Sequence, residues 1–344
     1  MSGAKIRNYG CRIKDNILYK GMRTVFLEND VLRAGILVDK GTDIFEFLYK
    51  PMDMDFIWLY PWGFVDPKDY QITKNQTGGR FMDFYEGGWQ EIFPNGGSPC
   101  GVSGAEFGQH DEVALLPWEY EIIEDKKERI EIKFFVKTRL TPFLLEKSIK
   151  IEAGIPEIKI SERVINKSPV DIKVIWGHHL AYGKPFLEEG CRVNISAKKC
   201  LTYNMPGVLD SNIPLNKEFV WPILPTIDGK TIDLSIIQPE STNSSKFLYI
   251  NEIEAGEYEI LNEKRNLGIK VEWDKKIMPY LWFWQEFNKS TGYPWYKMAR
   301  VFGLEPFSTN TSGLDNTINK NKELVIGGDS EKDFHINISV IKLN

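Results

Sequence analysis

The sequence predicts an all-β protein, and three observations carry that expectation. Apolar and charged residues alternate wherever a pattern is visible. Turn residues separate the alternating runs at near-regular spacing, and no long segment combines helical periodicity with caps. Ile130 to Phe134, continuing to Val136 and Lys137, alternates strictly, as a strand with one wet face requires. Ser148 to Glu152 repeats the pattern, and Gly154-Ile155-Pro156-Glu157 supplies a turn before Ile158 to Ser161, which reads as a hairpin. A third run, Asp171 to Trp176, follows the turn Asn166-Lys167-Ser168-Pro169. The last run, Phe334 to Val340, alternates again and predicts a strand inside the fold. Glu86 to Gly104 holds six Gly and two Pro, but also Trp89, Glu91, Phe93 and Asn95. A linker would be polar and repetitive, so this segment reads as an ordered functional loop. Asn310 to Lys322 is polar and reads as a surface loop. With no linker and no internal repeat, residues 1–344 are expected to form one large domain.

Composition excludes several classes. Hydrophobic residues make up 42% and charged residues 26%, which excludes disorder. A net charge of −5 without a basic block leaves nothing to neutralise a phosphate backbone or to dock on anionic lipid. The expected partner is therefore neither nucleic acid nor membrane. Phe56 to Val65, the longest apolar-rich uncharged stretch, is far too short to span a bilayer. Met1 to Gly10 lacks the apolar core of a signal peptide, and Cys11, Cys100, Cys191 and Cys200 form no CxxC pair. Reduced thiols in a cytoplasmic protein are the expectation. Aromatic content is high, at 10 Trp, 14 Tyr and 20 Phe. Many of these rings adjoin Gly, Pro or a polar residue, a placement that suits a groove stacking on flat apolar faces such as those of sugars, as well as a large β core.

Four histidines make their settings informative: His110, His178, His179 and His335. His335 stands apart in the last strand and reads as structural. Adjacent histidines on a strand point to opposite faces, so His178 and His179 cannot readily share one ion, and neither HExxH nor His-x-His occurs. No metal and no cofactor is expected. A GxSxG elbow is absent as well. Glu305 lies in the apolar frame Val301-Phe302-Gly303-Leu304-Glu305-Pro306-Phe307, where inward burial would raise a carboxyl toward the range useful to a base. An exposed glutamate at a strand end is the competing reading.

Taken together, these segments resemble the aldose 1-epimerase, or galactose mutarotase-like, superfamily over about residues 25–340. The likeness is carried, in order, by Val31-Leu32-Arg33, Asp39 to Ile44, Gly88 to Gly97, His110 with Leu116-Pro117-Trp118, Gly177 to Gly183, and Leu304-Glu305-Pro306. The resemblance implies a β-supersandwich and an isomerase that interconverts sugar anomers. It implies Glu305 as general base and His179 as general acid, with His110 on a sugar oxygen and Trp89 or Trp282 stacked on the ring. Leu180 stands where the family motif has Pro, which leaves His178 as the alternative acid. The resemblance implies Glu91 and Asn95, in the loop similar to the family's substrate-side segment, as further substrate contacts. Glu286 is the candidate stand-in for the family's hydroxyl-binding Asp. Arg80 and Arg300 are the basic residues nearest these motifs, able to bind a sugar phosphate or to pair with a carboxylate.

Ring opening needs a base for the anomeric proton and an acid for the ring oxygen, with no cofactor. Histidine suits such exchange because its proton is labile near neutrality. The expectation is an imidazole and a carboxyl converging across one pocket with a sugar-ring-sized gap between them. The implied ligand is a small sugar, a hexose or derivative, and the implied assembly a monomer or homodimer. A non-catalytic carbohydrate-binding protein on the same scaffold and a metal-dependent β-barrel enzyme are the competing readings.

Overall fold

The computed structural model describes residues 7–68, 80–203 and 212–343. Within them the chain is built almost wholly from antiparallel strands, with Arg80–Asp83 and Leu314–Asn319 as its short α-helices. The hairpin read from alternation forms as Phe143–Glu152 against Glu157–Asn166, with Ile149 opposite Ile160 and Lys150 opposite Lys159. Arg129–Lys137 pairs on the other side, Ile130 opposite Ile151. One face of these strands is buried at every second residue, because period-two patterning turns its apolar set to a single side.

The final run lies within Glu331–Lys342, between Glu157–Asn166 and Leu267–Trp273 in an eight-stranded sheet. The third run is shorter than the reading: Ile172–Val174 pairs only with Leu324–Ile326. A twelve-stranded sheet faces the first one. Its central strands run in the order Trp89–Ile92, Gly177–Tyr182, Arg300–Phe307, Tyr280–Phe287, Ser244–Ile253. The main core fills the space between the sheets, joining Ile132, Ile149 and Ile160 to Leu180, Leu304 and Phe283.

Both faces of the central strands are buried. Their second face carries a separate apolar cluster that includes Ala181, Trp282, Val301 and Phe307. Strands covered on both sides lose the simple wet-face alternation, and Gly177–Tyr182 is buried throughout.

Asn310–Lys322 departs from the surface-loop reading. Asn310 to Leu314 is buried, and Leu314–Asn319 is helical. Its hydroxyls satisfy one another: Thr309 Oγ1 bonds Thr311 Oγ1 at 2.8 Å, which bonds Thr317 Oγ1 at 2.7 Å. A polar segment can be buried once its donors and acceptors are paired. The four cysteines are buried free thiols. Among the described residues no helix is long and apolar enough to cross a membrane.

Candidate active site

A cavity of about 310 Å³ opens on the outer face of the larger sheet. Strand parity selects its lining. Along Gly177–Tyr182, His179 and Ala181 face the cavity side while His178, Leu180 and Tyr182 face the core. Along Arg300–Phe307, Glu305 takes the cavity side and Phe302 and Leu304 the core. Trp282, Trp284 and Glu286 line the cavity from Tyr280–Phe287, and Ser245 and Phe247 from Ser244–Ile253. Register sets Trp282 opposite Glu305, Trp284 opposite Gly303, and Ser245 opposite Glu286. Phe81, Met82 and Tyr85 close the wall from the helix Arg80–Asp83 and the turn that follows it.

At the floor, His179 Nε2 stands 3.5 Å from Glu305 Oε1. That carboxyl oxygen is buried with no hydrogen-bond partner. The Tyr85 hydroxyl faces His179 Nδ1 at 3.4 Å. Beneath, Tyr258 of the smaller sheet donates its hydroxyl to the Leu304 carbonyl at 3.0 Å and braces the strand that carries Glu305. His110 adopts a left-handed backbone, φ 53, and its Nδ1 accepts from the Gly97 N–H at 3.2 Å. That bond leaves Nε2 as the proton-bearing nitrogen of a neutral ring. Gly97 is required where it stands: φ is +80, and a Cβ would lie 2.2 Å from Ser312 Oγ.

Burial dominates the electrostatics. It pushes the Glu305 carboxyl well above the usual carboxylate range and the His179 imidazole down to about 3. It also drives His110 well below its ordinary value, with neighbouring His179 adding to the effect. Burial thus favours the protonated carboxyl on Glu305 and the neutral ring on His179, whereas the resemblance implies Glu305 as base and His179 as acid.

The separation also corrects the expected ring-sized gap. His179 and Glu305 project side by side from paired strands, which leaves no space for a ring between them. The two oxygens exchanged in ring opening are both bonded to C1, so neighbouring groups on one floor can address them together.

The structure brings together His110, His179, Trp282, Glu286 and Glu305. Trp282 stacks on Phe307 at 3.9 Å between centroids and donates Nε1–H to the Thr309 carbonyl at 2.7 Å. Glu286 accepts from the Lys289 and Ser290 N–H groups and from the Ser290 hydroxyl, at 2.7, 3.0 and 2.6 Å.

Five of the remaining candidates lie elsewhere. Trp89, Glu91 and His178 have the opposite parity and sit in the core between the sheets. Trp89 donates Nε1–H to His178 Nδ1 at 3.1 Å, and His178 Nε2 meets Glu162 at 3.0 Å. Glu91 accepts from Trp176 Nε1 at 3.1 Å and pairs with Lys147 at 2.8 Å. The alternative acid, His178, is therefore turned away from the cavity. Asn95 braces the loop behind the wall, donating Nδ2–H to the Ser98 and Gly108 carbonyls and accepting from the Leu314 N–H. Arg80 opens its short helix, and its side chain lies outside what the structure describes. Arg300 is spent elsewhere, over the Phe287 ring at 4.1 Å and on the Gln238 carbonyl at 2.7 Å.

Tyr85, Trp284, Trp295 and Ser245 escaped the sequence reading. Trp284 was recoverable, since it lies two residues from both Trp282 and Glu286 on one strand face. Ser245 faces Glu286 only through register, which leaves no trace in the sequence.

A family model described as a domain of unknown function, DUF4432, matches residues 19–208, more than half of the chain. No curated protein matches by sequence. Solved structures do match. A Klebsiella pneumoniae protein proposed to be an aldose 1-epimerase superposes with a TM-score of 0.73 at 14% identity, covering 98% of this chain and 85% of that one. A galactose mutarotase-like protein from Clostridium acetobutylicum gives 0.66 at 14% identity, over 97% and 99%. A galactose mutarotase related enzyme from Lactobacillus acidophilus gives 0.62 at 16%, over 93% and 98%. The fold is the galactose mutarotase-like supersandwich.

Proposed function

The chain belongs to the DUF4432 family, and from that premise we propose that it is an aldose 1-epimerase acting through the His179–Glu305 pair. The observation that carries this reading is a buried imidazole and a buried, unpartnered carboxyl oxygen 3.5 Å apart on the floor of a sugar-sized aromatic cavity. A sugar ring stacks on the aromatic wall with C1 over the pair. Neutral His179 takes the proton of the anomeric hydroxyl while protonated Glu305 delivers its own to the ring oxygen. The bond from C1 to the ring oxygen breaks and the C1 carbonyl forms. After rotation about C1–C2 both transfers run backwards, and the pair ends with the proton where it began. The Tyr85 hydroxyl at Nδ1 orients the imidazole, and His110 Nε2–H contacts a sugar oxygen.

Polarimetry and exchange NMR on freshly dissolved α-glucose and α-galactose test the reading. Acceleration of anomer exchange is expected, reduced about 10²- to 10⁴-fold by His179→Ala or Glu305→Gln. Variants that keep the accelerated rate would refute the roles. Tryptophan quenching by sugars with no exchange of any of them would leave a carbohydrate-binding protein.

A further inference from the structure

Beyond the cavity, and resting on the epimerase reading for the orientation of its ligand, we propose a second sugar subsite. Tyr293, in the cavity lining, with Trp62 and Tyr296 beside Tyr60, would stack the next unit of a reducing oligosaccharide whose terminal ring occupies the pocket. These are among the most exposed large side chains of the protein, at 73%, 57% and 56%. Single exposed aromatics need no explanation, but a cluster continuous with a binding cavity does.

Tyr60 ties the cluster together. It donates its hydroxyl to the Pro294 carbonyl at 2.6 Å, and Trp62 and Tyr296 flank it. Tyr293 and Trp295 line the cavity itself, and Tyr293 donates to Asp83, the last residue of the helix that carries Phe81 and Met82. Ring contacts then lead inward: Tyr60 to Trp295 at 5.7 Å, Trp295 to Trp284 at 5.5 Å, and Trp284 to His179 at 5.6 Å. This path is longer than one hexose ring.

The presentation of these rings is costly. Tyr296 and Lys297 both occupy the left-handed region, φ 45 and 62, which disfavours bulky residues. The loop is nevertheless held by Tyr296 N–H to the Gly292 carbonyl at 3.0 Å and Lys297 N–H to the Ser290 carbonyl at 2.8 Å. Trp62 sits on a turn closed by Gly63 N–H to the Tyr60 carbonyl at 2.9 Å.

The ligand class follows from size and chemistry. A cavity of about 310 Å³ lies at the small end of ligand sites and suits one sugar ring. With C1 on the floor, the opposite end of a pyranose points outward, so a substituent on O4 leaves through the mouth. There it meets aromatic faces for its C–H surface and phenol and indole groups for its hydroxyls.

The test compares cellobiose, maltose and lactose with glucose, by exchange NMR for KM and kcat and by calorimetry for Kd. At least one disaccharide should bind about 10-fold tighter than glucose. Trp62→Ala and Tyr296→Ala should each weaken that disaccharide about 3- to 10-fold, leaving glucose KM and kcat unchanged. Equal affinity for glucose and all three disaccharides overturns the subsite, as do variants that shift both ligands alike. Variants that alter only self-association assign the rings to a second copy of the chain and overturn it too. If no sugar exchanges its anomers, the epimerase reading fails by itself, and the calorimetric comparison still decides the subsite.

Discussion

Gly303 is the position where a single methyl group should separate catalysis from folding. It lies in the strand Arg300–Phe307, opposite Trp284, and is not among the residues with positive φ, so alanine meets no backbone strain there. What alanine meets is the site. An added Cβ would stand 2.5 Å from Glu305 Oε1 and 3.1 Å from Trp284 Cε3, against 3.4 Å or more for ordinary contact. The carboxyl must therefore retreat by about 1 Å, a misplacement that typically costs about 10²-fold in rate, or about 2.7 kcal/mol of barrier. Gly303→Ala should lower kcat for anomer exchange by about that factor, read by exchange NMR. Overpacking against Trp284 should cost stability only about 1–3 kcal/mol, read by urea unfolding. Because the effect passes through Glu305, the substitution should cost far less in a Glu305→Gln background. A Gly303→Ala protein with the wild-type rate would refute the argument, and so would an equal loss in both backgrounds.

Other predictions concern protons and buried charge. Catalysis needs one proton on the pair, so activity should fall at the acid end as His179 gains a second near pH 3, and at the alkaline end only as Glu305 ionises, well above the usual carboxylate range; kcat/KM should show no step between those limits. A kcat/KM that rises with an apparent pKa near 6.5, the ordinary histidine value, would contradict this. His179 also links folding to pH: its proton is bound by the unfolded chain between about pH 3 and 6.5 but not by the folded one, so stability falls as pH drops through that window. His179→Gln should lose less stability between pH 7 and 4.5, measured by urea titration at both; an unchanged difference counts against the buried neutral ring. Lys147 pairs with Glu91 at 2.8 Å and Glu162 at 3.5 Å between the sheets. Lys147→Met leaves those carboxylates uncompensated and should cost about 3–5 kcal/mol in urea unfolding; a cost below about 1 kcal/mol would mean the core admits water there.

What was legible in the sequence was whatever period-two patterning and motif order encode. The run from Ile130 to Ser161 alternates because one face is wet, and it formed strands in the register that its turns allow. The late Glu305 in its apolar frame and the scarce histidines were visible as candidates for the same reason: unusual side chains in settings that composition makes rare. The doubly covered strands were harder. In Gly177–Tyr182 and Trp89–Ile92 every position is buried, so no wet face marks parity, and Trp89, Glu91 and His178 were as plausible as His179. The polar stretch Asn310 to Lys322 read as surface because the pairing of its hydroxyls depends on a fold that the pattern does not specify.

Only the tertiary structure decided which face of each strand meets the cavity, since a sheet turns alternate residues to opposite sides and the choice between them is made by what packs above and below. It likewise set the 3.5 Å spacing of His179 and Glu305, the register that brings Ser245 to Glu286, and the burial that raises the carboxyl's pKa. Each of these is a relation between residues distant in the chain, and local patterning carries no term for distance across a sheet or for water excluded by another strand.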